Sequence, residues 1–180
     1  FDTISYCPID LNGVKVELLN DDEKEWLNNY HKKVYDKLSP YLNKEEKILF
    51  DKLCTSDKHH SIRVCKDALN IYSNKTNIDE RKLAKIALLH DIGKSEHKLN
   101  VIEKSALVVL DRFMNGKFIK YSNNKKVDLY YNHPKKSINM LKKSNGVYDK
   151  EFLEAIEKHH YKNIGSNIYL KIIKECDDNN

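Results

Sequence analysis

Glycine and proline are scarce in this chain, five and three among 180 residues. So few turn formers argue against a turn-rich barrel or sandwich, and equally against a disordered linker protein. Cysteine occurs four times, at Cys7, Cys54, Cys65 and Cys176, but never as Cys-x-x-Cys or in a paired spacing. That speaks against a thiolate zinc site and a disulfide framework, and the thiols read as free in a reducing cytosol. No apolar run reaches the roughly 18 to 20 residues of a membrane span, and the first residues lack the basic-then-apolar order of a signal peptide. There is no internal repeat and no low-complexity tract. Lys and Arg number 32 against 27 acids, leaving +5, too mild to claim nucleic-acid binding yet compatible with an anionic ligand. The expectation is a cytoplasmic, mostly helical protein with no membrane association and no stable nucleic-acid complex. Because it opens on Phe1, the chain reads as a fragment or a processed product.

What is present is periodic. After a β-branched stretch at Asn12 to Leu19 that could form a strand or hairpin arm, Asp21, Asp22, Glu23 and Glu25 load a first helical turn with charge that favours a helix start. Trp26, Leu27, Tyr30, Val34 and Leu38 continue an apolar stripe. Asp57 is the expected cap of a helix running to about residue 70. Further helices are expected at about 79–91, 101–115, 131–144, 149–161 and 166–176.

Eight histidines are the unusual entry in the composition. Four of them share faces with core residues at helical spacing. His90 ends a stripe of Leu83, Ile86 and Ala87. His60 aligns with Val64, Ala68 and Ile71, and His159 with Phe152, Ala155 and Ile156. His133, expected to open a helix with Pro134 in its first turn, lies over Ser137, Met140 and Leu141. Asp177 follows Leu170 and Ile173, and Asp91 is adjacent to His90. Buried polar heads without partners are costly, and this many could not share a dry core. A divalent metal resolves the conflict, since neutral imidazoles and carboxylates suit Fe, Mn, Zn or Ni.

These residues resemble a known signature. His60, then His90-Asp91, then Asp177 is similar to the His, His-Asp, Asp pattern of the HD-domain superfamily of metal-dependent phosphohydrolases. The agreement extends to His60-Ser61-Ile62-Arg63-Val64, to His90-Asp91-Ile92-Gly93-Lys94 (the HDIG type), to His133-Pro134 and to His159-His160, over about residues 43–180. The resemblance implies an all-α fold, a helical bundle with the metal site in its centre. It implies a first metal held by His60, His90, Asp91 and Asp177, and a second held by His133 and His159, with Asp91 bridging. His160 is a further candidate ligand or substrate contact. One or two divalent ions are expected, Fe or Mn first, with Zn, Ni, Co or Mg as alternatives.

Two such ions lower the pKa of a shared water and clamp a phosphoryl group, which suits hydrolysis of a phosphoester or phosphoanhydride by a metal-bound hydroxide. Asp91 and Lys94 are the expected catalytic pair, Lys94 neutralising a phosphate oxygen. Eight lysines between Lys117 and Lys143, including Lys135 and Lys136, face one acid, Asp128, and could steer an anionic nucleotide, or could be a solvated face. Tyr121, Tyr130, Tyr131 and Tyr161 could stack on a base or simply pack. The segment Tyr161-Lys162-Asn163-Ile164-Gly165 departs from the Gly-Tyr-Pro pattern of HD proteins that open cyclic di-GMP. Small nucleotides, dinucleoside polyphosphates and other cyclic dinucleotides stay open as substrates, as does a homodimer. The alternatives are a non-catalytic nucleotide-binding HD signalling module, or a fragment of an aminopeptidase fusion.

That last alternative comes from residues 1–50. Cys7-Pro8-Ile9-Asp10, Leu18-Leu19, Glu25 to His31 and Leu38-Ser39-Pro40-Tyr41-Leu42 resemble the C-terminal tail of Xaa-Pro aminopeptidases of the pita-bread fold. None of that family's metal-binding motifs occurs here, so the resemblance implies no peptidase activity for this chain, and His31 reads as a packing or surface residue. The expected organisation is a short, mostly helical extension at 1–45 and an HD domain at 46–180, with Leu42 to Leu53 able to belong to either.

Overall fold

The computed structural model describes residue 9 and residues 14–38, 40–72, 75, 77–96, 101–114 and 123–180. Among them lie eight α-helices and no strand: α1 Asp21–Leu38, α2 Lys44–Asp51, α3 Thr55–Tyr72, α4 Glu80–Leu89, α5 Val101–Phe113, α6 Lys125–Lys143, α7 Lys150–Lys158 and α8 Ile168–Asp178. Short polar side chains start most of them. Asn43, Asp79, Asn124, Asp149 and Asn167 each accept a hydrogen bond from a first-turn backbone N–H of α2, α4, α6, α7 and α8. Asn43 and Glu46 do so reciprocally, as do Asn20 and Glu23 at the start of α1.

Helix α4 is the centre. Leu83, Ala84, Ile86, Ala87, Leu88 and Leu89 are all fully buried, a wider apolar surface than the single stripe expected. A helix that is apolar nearly all round must be surrounded, and α2, α3, α7 and α8 pack against it. Its two lysines escape by ion pairing, Lys82 with Asp149 and Glu151 and Lys85 with the buried Glu46. The 3-10 turn Ile92–Glu96 that follows α4 packs along α6. Gly93 makes that approach close enough to hydrogen bond. Its N–H donates to Ser137 Oγ at 2.8 Å, and a Cβ there would lie 2.1 Å from the His133 carbonyl oxygen.

Four expectations differ from this structure. Residues 14–20 hold a 3-10 turn at Val16–Leu18 instead of a strand arm, and positions 12 and 13 lie outside the described residues. Asp57 is not a cap. Helix α3 begins two residues earlier, and the buried Asp57 carboxylate accepts a hydrogen bond from the Cys54 thiol. Helix α6 does not open at His133; it starts at Lys125 behind the cap Asn124, leaving Pro134 in its interior. The described part of the α1 stripe is not buried either, since Trp26, stacked on Tyr30, is 62% exposed and Leu27 and Tyr30 are only half-buried. The side chains of His31, Val34 and Leu38 lie outside the described residues. By contrast Leu42, Leu49, Phe50 and Leu53 belong to the same core as α3, α4, α7 and α8. No described helix is long and apolar enough to cross a membrane.

Candidate metal centre

The six expected ligands converge from five helices. His90 and His159 are the residues at the C-terminal ends of α4 and α7, where the last turn leaves carbonyls without helical partners. Each ring uses one of them. His90 Nδ1 lies 2.8 Å from the Ala87 carbonyl and His159 Nδ1 lies 2.7 Å from that of Ile156. His133, in mid-helix, places Nδ1 2.9 Å from the Tyr130 carbonyl. An N–H donated to a carbonyl fixes the tautomer of the neutral ring, so all three rings turn Nε2, the nitrogen able to ligate a metal, to the interior.

Those nitrogens surround two carboxylates. Asp91 Oδ1 is 3.2 Å from His133 Nε2 and 3.8 Å from His159 Nε2, while Asp91 Oδ2 is 3.4 Å from His90 Nε2 and 3.7 Å from His60 Nε2. Asp177 Oδ1 is 2.7 Å from His60 Nε2 and 3.6 Å from His90 Nε2. Three donor sets, the ligand atoms of each within 4.8 Å of one another, could hold a metal ion: His60, His90 and Asp91; Asp91, His133, His159 and His160; and His90, His159 and Asp177. Asp91 is common to the first two. The fully buried His90 Nε2, His159 Nε2 and Asp91 Oδ1 have no hydrogen-bond partner. Acceptors facing acceptors in a dry pocket are unstable as they stand, and a cation is what such a donor set fits.

The electrostatics agree. Burial alone would raise Asp91, but His90, Lys94 and His133 overcome it and hold the carboxyl well below its ordinary range. Burial would likewise raise Asp177, and the hydrogen bond with His60 together with the nearby His90 imidazole reverses it. His90 is raised, the two carboxylates outweighing its desolvation. Burial and the neighbouring imidazoles push His159 well down and His160 to about 4. The pocket thus favours anionic carboxylates and neutral outer imidazoles, the protonation state in which such groups ligate a metal.

Of the other expected residues, His160 is brought in, with Nε2 3.1 Å from His133 Nε2 and Nδ1 3.5 Å from Asp177 Oδ2, though its side chain is 45% exposed. Lys94 donates to Asp91 Oδ2. Lys136 is not open to an anion, because Glu96 and Asp128 take its ammonium at 2.7 and 2.9 Å. Lys135 is exposed on α6, and Lys126 pairs with Glu103. The lysine block is thus partly neutralised by acids from other segments. Lys117, Lys120 and Tyr121 lie outside the described residues.

Two site residues were not expected. Ser137 Oγ, besides accepting from Gly93, lies 2.9 and 3.0 Å from the His90 and His133 carbonyls and so ties two ligand-bearing segments together. Asp57 adds its charge to those holding Lys94 protonated. Ser137 was visible on the face of His133; Asp57 was masked by its resemblance to a cap.

A family model described as HD domain matches residues 58–178, two thirds of the chain, and all six expected ligands and His160 lie within it.

The chain belongs to the HD-domain family.

The superfamily consists mostly of metal-dependent hydrolases. A second model, the C-terminal region of peptidase_M24, matches residues 1–52 ahead of the HD domain. Over that segment the chain is 45% identical across 49 residues to a probable Xaa-Pro aminopeptidase P of Laccaria bicolor, covering 27% of this chain and 8% of that protein. It is 49% identical across 45 residues to Xaa-Pro aminopeptidase ApepP of Drosophila melanogaster (25% and 7%), and 45% across 42 residues to aminopeptidase P2 of Arabidopsis thaliana (23% and 6%). The chain therefore spans less than a tenth of the length of these curated relatives. No solved structure matches it.

Proposed function

We propose that this HD domain is a two-metal phosphohydrolase acting on a phosphorylated small molecule of nucleotide type. His60, His90, Asp91 and Asp177 would hold one divalent ion, and Asp91, His133, His159 and His160 a second, with Asp91 shared. The observation that carries this is the set of buried, partnerless acceptors, His90 Nε2, His159 Nε2 and Asp91 Oδ1, all facing one small volume. Bound divalent ions supply Lewis acidity toward water and a phosphoryl oxygen. The chain's own residues do the rest. The main-chain carbonyls of Ala87, Tyr130 and Ile156 keep the ring protons off the inward nitrogens. Lys94 donates to Asp91 and would turn its charge to a substrate phosphate once a bound metal takes that carboxylate. Fe or Mn is the proposed metal, and the thiols of Cys54, Cys65 and Cys176, not joined in disulfides, fit a cytoplasmic setting.

Metal analysis of protein prepared with and without air, followed by a panel of nucleotides, dinucleoside polyphosphates and cyclic dinucleotides, tests the reading. The expected result is one to two ions per chain and release of phosphate or a nucleoside phosphate. Less than one ion per chain, with no turnover when Fe or Mn is supplied, overturns it. Affinity for a nucleotide without turnover would favour a signalling module instead. The match at residues 1–52 supports a further reading in which the domain is fused to a Xaa-Pro aminopeptidase, and an upstream reading frame bearing that peptidase's metal ligands would establish it.

A further inference from the structure

His133 differs from His90 and His159 in one respect. Those two stand at helix ends, where unpaired carbonyls are available three residues back. His133 lies in the interior of α6, where the carbonyl of Tyr130 would ordinarily accept from the backbone N–H of residue 134. Residue 134 is proline and has no N–H. The carbonyl it leaves vacant is the one His133 Nδ1 approaches at 2.9 Å, closer than the 3.3 Å to Leu129. We propose that Pro134 is a positioning residue, which frees the Tyr130 carbonyl so that it anchors the His133 imidazole with Nε2 toward Asp91.

The three inward histidines then share one geometry, Nδ1 to the carbonyl at i−3. Two obtain it from helix termini and the third from a gap made inside a helix. A proline in mid-helix is destabilising, and this one is buried, so solvent does not relieve it. An amide N–H at 134 would compete for the same oxygen. His133 would then lose its anchor and the second ion its oriented ligand. This inference rests on the metal-centre reading only for its last step, because the anchoring bond is made within α6 itself.

Pro134→Ala and Pro134→Gly both restore the N–H while differing in side chain. In 15N-labelled, metal-free protein the His133 Hδ1 proton should be observable and slow to exchange in the parent, and should exchange about fivefold faster or more in both variants. Titration with Mn2+ alone, following free Mn2+ by electron paramagnetic resonance, should show the second equivalent weakened about tenfold or more and the first unchanged. If the parent's His133 Hδ1 exchanges as freely as that of an exposed imidazole, the proposal fails without recourse to a variant. It also fails if both variants keep the slow proton and the parent's second Mn2+ affinity. A parent that protects the proton but binds no second Mn2+ leaves Pro134 as the anchor of His133 and sinks the two-metal reading instead.

Discussion

Replacing Gly93 by alanine would put a methyl carbon 2.1 Å from the His133 carbonyl oxygen, 2.7 Å from Ser137 N and 3.0 Å from the His133 carbonyl carbon. All three are backbone atoms of α6, so no side chain can swing aside. The backbone of Gly93 is not in the left-handed region, unlike that of Gly165, so the cost is one of space alone. Reaching even a tight 3.0 Å requires α6 and the 92–96 turn to part by about 0.9 Å, against a tolerance of about 0.2 Å in metal–ligand distances. Overpacking of this kind costs about 1–3 kcal/mol, and straining the Gly93–Ser137 hydrogen bond adds about 1. For a chain of this size the sum, roughly 2–4 kcal/mol, lowers Tm by about 5–15 °C. Since α6 carries His133, the second Mn2+ equivalent should weaken before the first. Thermal melts of metal-free protein and Mn2+ titrations measure both. A Gly93→Ala protein that melts within about 2 °C of the parent and binds both ions equally well would refute the reasoning.

Asp91→Ala removes the carboxylate common to two donor sets, so metal content should drop below one ion per chain and turnover below detection while circular dichroism stays helical; retention of one tight ion would show that Asp91 is not shared. Phe50→Ala should cost about 3–5 kcal/mol in urea melts, as for any core aromatic, whereas Trp26→Ala on the exposed face of α1 should stay within about 0.5. Equal effects would mean that α2 is no part of the bundle. Burial pushes the Cys65 thiol up to about 12, from an unfolded value near 9. The folded state therefore keeps the proton longer, and this contribution is intact below about pH 9 and lost as pH rises toward 12. Cys65→Ala should flatten the alkaline decline by up to about 1.4 kcal/mol per pH unit, and an unchanged slope contradicts the assignment.

The inward-facing set was legible because helical spacing aligned His60, His90, His133, His159 and Asp177 with residues that proved to be buried. Val64, Ala68, Ala155, Ile156, Leu170 and Ile173 are all fully covered. Ile71, on the same expected face, is 55% exposed, because periodicity reports a direction and not how far the neighbouring helices extend. Pro134 misled for a related reason. A proline signals a helix start when only local cost is weighed, and here the buried face of α6 from Val127 to Leu141 holds the helix through it. The pairing of Lys136 with Glu96 joins segments 40 residues apart, which no local pattern can register.

Helix α2 lies inside the stretch that matches the peptidase tail, yet Leu49 and Phe50 are set in the core of the HD bundle and Glu46 meets Lys85 of the central helix. The seam between the two sequence families is thus a structural member and not a tether. Swapping the upstream segment as a cassette at residue 55 would pull a wall from the domain it was meant to spare. Only a cut ahead of Leu42 leaves that wall standing, so the practical unit of transplantation is larger than the family match implies.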